Sequence, residues 1–420
     1  MTPMKRYYNI AVSIFITLFI SLIYSCKKKE VPTLTTSVIT NITGTSATSG
    51  GTIISDGSGT VVSKGVCWGI GIDPTITDNK TTDGAGTGSF TSNLSGLNGS
   101  TKYYIRAYAT NSAGTAYGNE ISFATNSIFT GPIFYNNNGK IINAVCYGPF
   151  RDGQAPGSVL TETQIKEDLL IIKNHWEAIR LYISDDNSEK ILKVITDNNI
   201  DLKVLLGIWI SGKTPIDNAS QVDRAIALTN AYRNIVQAVS CGNEIFISPE
   251  SDIYVSNQEE IAGYLNKIHD QTTAPVTIDD LYLVWLDPKY SDLVTLQDFL
   301  AIHIYGQSDN VSLEQTVSFI DDKINELKTL FPQKQIMITE TGWTTSKNAG
   351  QFNPLTIADE VSQKQFYTQC QQWSNSNKIP VFYFEAFNER WKGVTETEAE
   401  TNWGFYYANR TPKLVFQVGK

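Results

Sequence analysis

Glu244 closes the tripeptide Gly242-Asn243-Glu244, and Glu340 opens Glu340-Thr341-Gly342-Trp343, each at the end of a run rich in apolar residues. The two lie 96 residues apart, about three strand–helix repeats of roughly thirty residues each. Two opposed carboxylates suit glycosidic bond cleavage, because one can protonate the leaving oxygen while the other attacks the anomeric carbon or activates water there. Alone, Glu244 reads equally well as a strand-end glutamate in an ion pair; with Glu340 at that spacing it points to catalysis. Other chemistry finds little material. Three histidines (His175, His269, His303) and five cysteines form no Cys/His cluster at zinc spacing, and no GxxxxGK[ST] phosphate loop occurs, so neither a metal nor a cofactor is expected. The net charge of -9 sets up no positive field to gather nucleic acid, which favours a neutral partner.

The elements that must position these carboxylates can be read from residue 136 onward. Apolar runs at 142–147, 178–183, 202–208, 235–241, 275–278, 299–304, 335–339 and 381–384 predict eight strands. Between them, windows at 162–174, 188–197, 220–234, 258–270, 313–330 and 357–375 predict helices, the first opened by a Thr161-to-Gln164 capping pattern. Eight strands alternating with helices favour a (β/α)8 TIM barrel over 136–420, with catalytic groups at the strand ends. A doubly wound sheet is the alternative, but no G-x-G-x-x-G follows the first strand.

The first 125 residues are organised differently. Lys5 and Arg6 precede an apolar stretch from Ile10 to Ile23, then Ser25-Cys26. That stretch is shorter than the ~20 residues of a spanning helix, and the pattern predicts a signal peptide over 1–25 with lipidation at Cys26 of a bacterial, outer-membrane-anchored lipoprotein. Simple cleavage and secretion is the rival. Residues 26–36 read as a linker. Residues 37–126 are rich in Thr, Ser and Gly, with strands predicted at 61–68, 88–94, 102–109 and 121–123 between turn signals, which indicates an all-β sandwich of about seven strands. Its single tryptophan, Trp68, is read as core, and the module as a spacer with no chemistry of its own.

Flat rings can pack on the apolar face of a pyranose. Trp209, Trp343 and Trp391 follow strand ends and are candidate platforms, Trp176 and Trp373 read as packing residues, and Trp285 and Trp403 stay open. His303, inside an apolar strand, is expected to be a hydrogen-bonded core histidine. Arg180 either supports a catalytic carboxylate or forms a salt bridge within the barrel. Cys146 and Cys241 sit in strand contexts that favour buried thiols.

The run Leu97 to Asn111, with Leu97, Thr101 and Tyr103 in an L-x-x-x-T-x-Y corner, resembles fibronectin type III modules. The second part resembles glycoside hydrolase family 17, whose best known members cleave β-1,3-glucans. The likeness rests on Val145-Cys146-Tyr147-Gly148-Pro149-Phe150, Ile179-Arg180-Leu181-Tyr182, Gly242-Asn243-Glu244, His303-Ile304-Tyr305, Glu340-Thr341-Gly342-Trp343, and the stretch from Phe384 to Lys392 followed by Glu400 and Asn402 to Phe405. The resemblance implies a retaining double displacement with Glu244 as acid/base and Glu340 as nucleophile. It implies that Asn243 bonds the sugar 2-OH and that Tyr305 positions the nucleophile or the sugar. Tyr147, Arg180, Trp209, Trp343 and Trp391 are expected at the substrate. Glu389, Lys392 and Glu400 would orient Glu340, hold the sugar, or form a structural ion-pair network. The implied partner is a β-glucan polysaccharide or oligosaccharide, cleaved internally or transferred to a second sugar.

Overall fold

Alternating small and apolar residues in the N-terminal part produce two antiparallel sheets. A computed structural model describes residues 29–417 apart from 126–130, 132, 137, 213–216, 248–253, 256, 349–351 and 353–356. The expected signal peptide over 1–25 and the expected lipidation site Cys26 lie outside the described residues. One sheet joins β1 (Thr33–Thr36), β2 (Ser46–Ser55) and β5 (Gly88–Ser95); the other joins β4 (Asn79–Lys80), β3 (Ser63–Gly69), β6 (Lys102–Asn111) and β7 (Gly114–Tyr117), with β8 (Ile121–Ala124) also on β6. Ala47 and Leu94 of the first sheet meet Val66, Trp68, Tyr103, Ile105 and Ala107 of the second in one buried cluster. Trp68 is therefore core, as expected, and Tyr103 and Ile105 face inward while Tyr104 faces out, following the two-residue period of a strand. The linker expected over 26–36 is corrected at its end. Thr33–Thr36 pairs antiparallel with β2, a strand that its short Thr-rich sequence does not announce. β2, rich in Ser, Thr and Gly, shows little hydrophobic pattern in its sequence, yet it pairs with β5 from Ser46 to Ile53 and with β1 from Gly51 to Ser55.

The second part is a closed parallel barrel. Its strands, in spatial order, are β9 (Ala144–Cys146), β10 (Ala178–Leu181), β11 (Lys203–Ile208), β12 (Val236–Asn243), β13 (Val276–Leu281), β14 (Phe299–His303), β15 (Gln335–Thr341) and β16 (Val381–Tyr383), which returns to β9. All eight expected strands are present. The helices between them are α1 (Glu162–Ile172), α2 (Asp186–Asp197), α3 (Asn218–Ala231), α4 (Gln258–Gln271), α5 (Tyr282–Leu286), α6 (Ser291–Leu296), α7 (Leu313–Leu330) and α8 (Glu360–Asn377). The Thr161/Gln164 capping box opens α1 as read from the sequence. The short helices α5 and α6 were not anticipated; five or six residues are too few to show a helical period. No helix among the described residues is long and apolar enough to cross a membrane.

The barrel interior is filled in layers. Ala144, Ala178, Leu205, Ala238, Ala301, Met337 and Phe382 point inward, and Phe134 closes one end with its ring edge-on to Phe382 at 5.0 Å. Small residues on several strands leave room for the large side chains opposite, which is how a barrel core packs without voids. Cys67, Cys146, Cys241 and Cys370 are buried free thiols. Burial pushes Cys146 and Cys241 up to about 12, so both behave as small core hydrophobes.

Candidate active site

The two-residue period along β10 decides the site's centre. Ala178 faces the barrel interior, so Arg180 does too, level with Cys146 on β9 and Leu205 on β11. A fully buried guanidinium must find anions. Arg180 donates to Asp279 Oδ2 through Nε at 2.7 Å, to Asn243 Oδ1 through Nη2 at 2.6 Å, and to Glu340 Oε1 through Nη1. The two alternatives read for Arg180 are thus both realised, since one side chain makes the interior salt bridge and supports the catalytic candidate. The face of Tyr182 lies 4.4 Å from the guanidinium carbon and fixes its plane.

Two irregularities of strand pairing bring the glutamates to that centre. Between Ile302 and His303 the register of β14 on β15 slips by one residue, so that His303 stands opposite Glu340. Between Ser240 and Asn243 the register of β12 on β13 slips as well, and Asn243 stands opposite Asp279. Bulges of this kind re-aim side chains near active sites. Glu244 follows at φ +54°, a left-handed conformation that costs a non-glycine residue about 1–3 kcal/mol and is held by its backbone N–H bond to Asp279 at 2.8 Å.

Glu340 is buried and fully engaged. Its Oε2 accepts the hydroxyl of Tyr305 at 2.6 Å, its Oε1 faces Arg180, and His303 Nε2 lies 3.6 Å from Oε1. Burial alone would raise its carboxyl, but the charges of His303 and Arg180 and the hydrogen bonds of Tyr305 and Arg180 bring it down to about 2. Glu244 keeps 28 % of its side chain exposed, and its Oε1 lies 2.8 Å from His303 Nδ1. One carboxylate oxygen from each glutamate and the imidazole nitrogen lie within 4.8 Å of one another. That spacing would admit a divalent cation by distance, but the Arg180 guanidinium and the Tyr305 hydroxyl already take both oxygens of Glu340. His303 is a buried, hydrogen-bonded histidine, as expected, yet its hydrogen-bond partner is Glu244 and its other ring nitrogen faces Glu340, the two catalytic candidates themselves.

The remaining candidates divide. Asn243 lies in the Arg180 network, and Tyr305 touches Glu340. Trp391 is 42 % exposed, 5.9 Å from Phe150, and free to act as a platform; Trp209 is half-buried beyond β11. Two placements are corrected. Tyr147 is buried with its hydroxyl 3.1 Å from Asp168 of α1, because that carboxylate, bound by Arg151 and Arg410, draws the ring out toward the helix layer. Trp343 is buried too, its indole N–H donating to Ile357 and its ring 6.0 Å from Phe366 of α8, so it packs the barrel wall. The ring that does stand beside the site is Trp403, 5.2 Å from Tyr305 and 5.9 Å from Phe384. Trp285 is core, bonded to Ala301 O. Trp176 packs against Phe405 and Phe416, and Trp373 bridges α8 to Asp321 of α7, both as expected.

Lys392 binds Glu385 Oε2 at 2.6 Å and Glu389 Oε2 at 2.8 Å, and lies 4.4 Å from the Phe384 ring. Burial pushes Glu385 well above the usual carboxylate range; Lys392 pulls it down and Glu389 adds to the rise. Glu389 also lies against Gly148, where a Cβ would meet its carboxylate at 2.2–2.3 Å, so a larger residue there would displace the Glu389 side chain. Glu400 is exposed in a 3-10 turn nearby. Sequence reading missed Asp279, Asp280 and Glu385. The pair Asp279-Asp280 directly follows the apolar run Val276 to Ile278 and was the available signal: Asp279 turns inward to Arg180, while Asp280 turns outward to bind the Phe246 and Leu281 N–H groups, and burial pushes it up to about 7.

The chain is similar to known proteins. Residues 144–404 match the model of the BtgE/BtgC glycoside hydrolase domain. A putative glucan endo-1,3-beta-glucosidase btgC of Aspergillus niger is 27 % identical over 279 residues, 60 % of this chain and 40 % of that protein, so the chain spans less than half the length of this relative. Among solved structures, an endo-laminarinase from Formosa Hel1_33_131 superposes with a TM-score of 0.59 at 24 % identity, covering 65 % of this chain and 85 % of its own. A Rhizomucor miehei beta-1,3-glucanosyltransferase mutant, in complex with laminaritriose, superposes at 0.54 with 16 % identity, covering 66 % and 97 %. Such low identities in structures speak for the fold alone. The family model, spanning most of the barrel and carrying both glutamates, makes this chain a member of the BtgE/BtgC glycoside hydrolase domain family.

Proposed function

We propose that the barrel is a retaining, endo-acting glycoside hydrolase that cleaves β-1,3-glucan of the laminarin type. The observation that carries this reading is the approach of Glu244 and Glu340 to within 4.8 Å at the carboxylate oxygens. A retaining pair stands about 5–5.5 Å apart, whereas an inverting pair needs about 6.5–9.5 Å to admit a water. Substrate class is supported by relatives such as the Aspergillus niger protein, whose name specifies a glucan endo-1,3-beta-glucosidase.

In the first step an Oε of Glu340 bonds to the anomeric carbon as the glycosidic C–O bond breaks, and the carboxylic proton of Glu244 goes to the departing oxygen. In the second, a water oxygen bonds to that carbon, its proton passes to Glu244, and the ester bond breaks to return the Glu340 carboxylate. Roles follow from environment. Glu340, held ionised by Arg180, His303 and Tyr305, is ready to attack, while the more exposed Glu244 faces solvent and a leaving group. The free amide edge of Asn243, whose oxygen is fixed by Arg180, would meet the sugar 2-OH.

The N-terminal sandwich, with its β1-β2-β5 and β4-β3-β6-β7 sheets, supports the reading as a fibronectin type III-like spacer, and residues 1–26 support export with a lipid anchor at Cys26. Metabolic labelling with a fatty acid should mark the wild-type protein and fail with Cys26→Ala.

Incubation of the purified protein with β-1,3-, β-1,4- and mixed-linkage glucans should release sized fragments from the β-1,3 polymer, with β-configured ends in freshly formed product by proton NMR. Glu340→Gln should abolish this while the protein still unfolds cooperatively, at a lower thermal midpoint because the buried charge that Arg180 and His303 face is gone. Products longer than the substrate would instead assign glucanosyl transfer; α-configured ends would overturn retention; no product from any glucan would leave a glycan-binding surface protein.

A further inference from the structure

His303 is fully buried, and its two ring nitrogens face the two glutamates: Nδ1 at 2.8 Å from Glu244 Oε1 and Nε2 at 3.6 Å from Glu340 Oε1. Nε2 has no hydrogen-bond partner of its own. Resting on the double displacement just described, the reaction moves one negative charge across this ring and back. Before the first step the charge is on Glu340; in the glycosyl-enzyme Glu340 is a neutral ester and the charge is on Glu244; the second step reverses this.

We propose that His303 is a positioning residue that stays protonated throughout the cycle and serves as the shared counter-ion of whichever glutamate is ionised. A buried charge of this kind is tolerable only beside an opposite one, and His303 is placed so that one faces it in both states. The other charged groups around it agree. Arg180 from β10 opposes its protonation, but Glu340 from β15 and Glu244 after β12 outweigh burial and Arg180 and raise the imidazole above its usual value. Asp280 of β13 also acts on it from outside the barrel wall, and Tyr305, two residues on, donates to Glu340 and leaves Oε1 to Arg180 and His303. The net effect is a site in which the acid/base exchange of Glu244 never leaves an uncompensated buried charge, so neither step carries that extra barrier.

The test separates this role from simple packing. The His303 imidazole is followed by NMR as a function of pH in the wild type, in Glu340→Gln and in Glu244→Gln, none of which needs substrate. In Glu340→Gln, which leaves the charge on Glu244 as in the glycosyl-enzyme, and in Glu244→Gln, which leaves it on Glu340, His303 should stay protonated at pH 7, whereas the double variant Glu340→Gln/Glu244→Gln should lower its midpoint by at least about one unit below the single variants. A neutral imidazole at pH 7 in either single variant, or a midpoint unmoved in the double variant, would overturn the proposal, whether or not the protein degrades glucan. In the catalytic arm, His303→Gln keeps a neutral hydrogen-bonding group of similar reach. It should lower kcat by roughly 10²-fold and move the acidic limb of kcat/KM to higher pH, because Glu340 loses a cation that holds it ionised. A reduced kcat with both limbs in place would show that the ring only packs. Absence of activity in the wild type would sink the proposed reaction and leave the NMR result to decide the pairing.

Discussion

The hydroxyl of Tyr305 donates to Oε2 of Glu340 at 2.6 Å, on the opposite side of the carboxylate from Arg180. The nucleophile candidate is thereby clamped at both oxygens, one by a neutral donor and one by a cation. The two clamps have different consequences when removed.

Tyr305→Phe deletes one hydrogen bond to a charged group, worth about 1.5–3 kcal/mol. Glucan turnover should fall by roughly 10- to 10²-fold in kcat with little change in KM, measured by steady-state reducing-end release. An unchanged kcat would mean that Arg180 alone fixes Glu340.

Arg180→Met should do more. It leaves Asp279 and Glu340 buried without their cation, which costs about 3–5 kcal/mol when one partner of a buried pair is removed. The denaturant midpoint should fall accordingly, and activity should disappear. Arg180→Lys should recover part of the stability but little activity, because a point charge cannot reach Asp279, Asn243 and Glu340 together.

The depressed Glu340 carboxyl makes stability depend on pH in a stated direction. Its folded value of about 2 lies below its ordinary 4.5, so the unfolded chain binds the extra proton between those values. The stabilisation is therefore complete above pH 4.5 and is lost as pH falls through 2. Unfolding free energies of the wild type should drop more steeply than those of Glu340→Gln across that window. Parallel curves would remove Glu340 as the cause.

The tryptophans should separate by measurement. Trp391→Ala removes an exposed ring and should raise KM for long glucans several-fold, leaving the thermal midpoint in place. Trp343→Ala empties a buried site against Phe366 and should cost about 3–5 kcal/mol of stability.

Much of this site was legible in the chain. Glu244 and Glu340 follow long apolar strands, and three βα repeats between them place both on the same rim of a barrel, whatever the details of its loops. The capping box at Thr161, the eight strands and the burial of Trp68 also follow from local pattern, because propensity, capping and hydrophobic period all act over a few residues. What local pattern could not supply was the direction of individual side chains. Two register slips, at Ile302/His303 and Ser240/Asn243, set which residues face the interior, and slips are a property of paired strands. The same limit explains Tyr147 and Trp343, whose strand-end positions suit a groove but whose rings are drawn outward by Asp168 and Phe366 from other segments. Asp279 needed Arg180, 99 residues away, before its burial made sense. The sequence by itself determined the barrel, its carboxylate pair and the chemistry that pair can do. Only the tertiary structure decided that one imidazole and one guanidinium join them into a single buried charge network, since the interaction between charges depends on their distance in space and not along the chain.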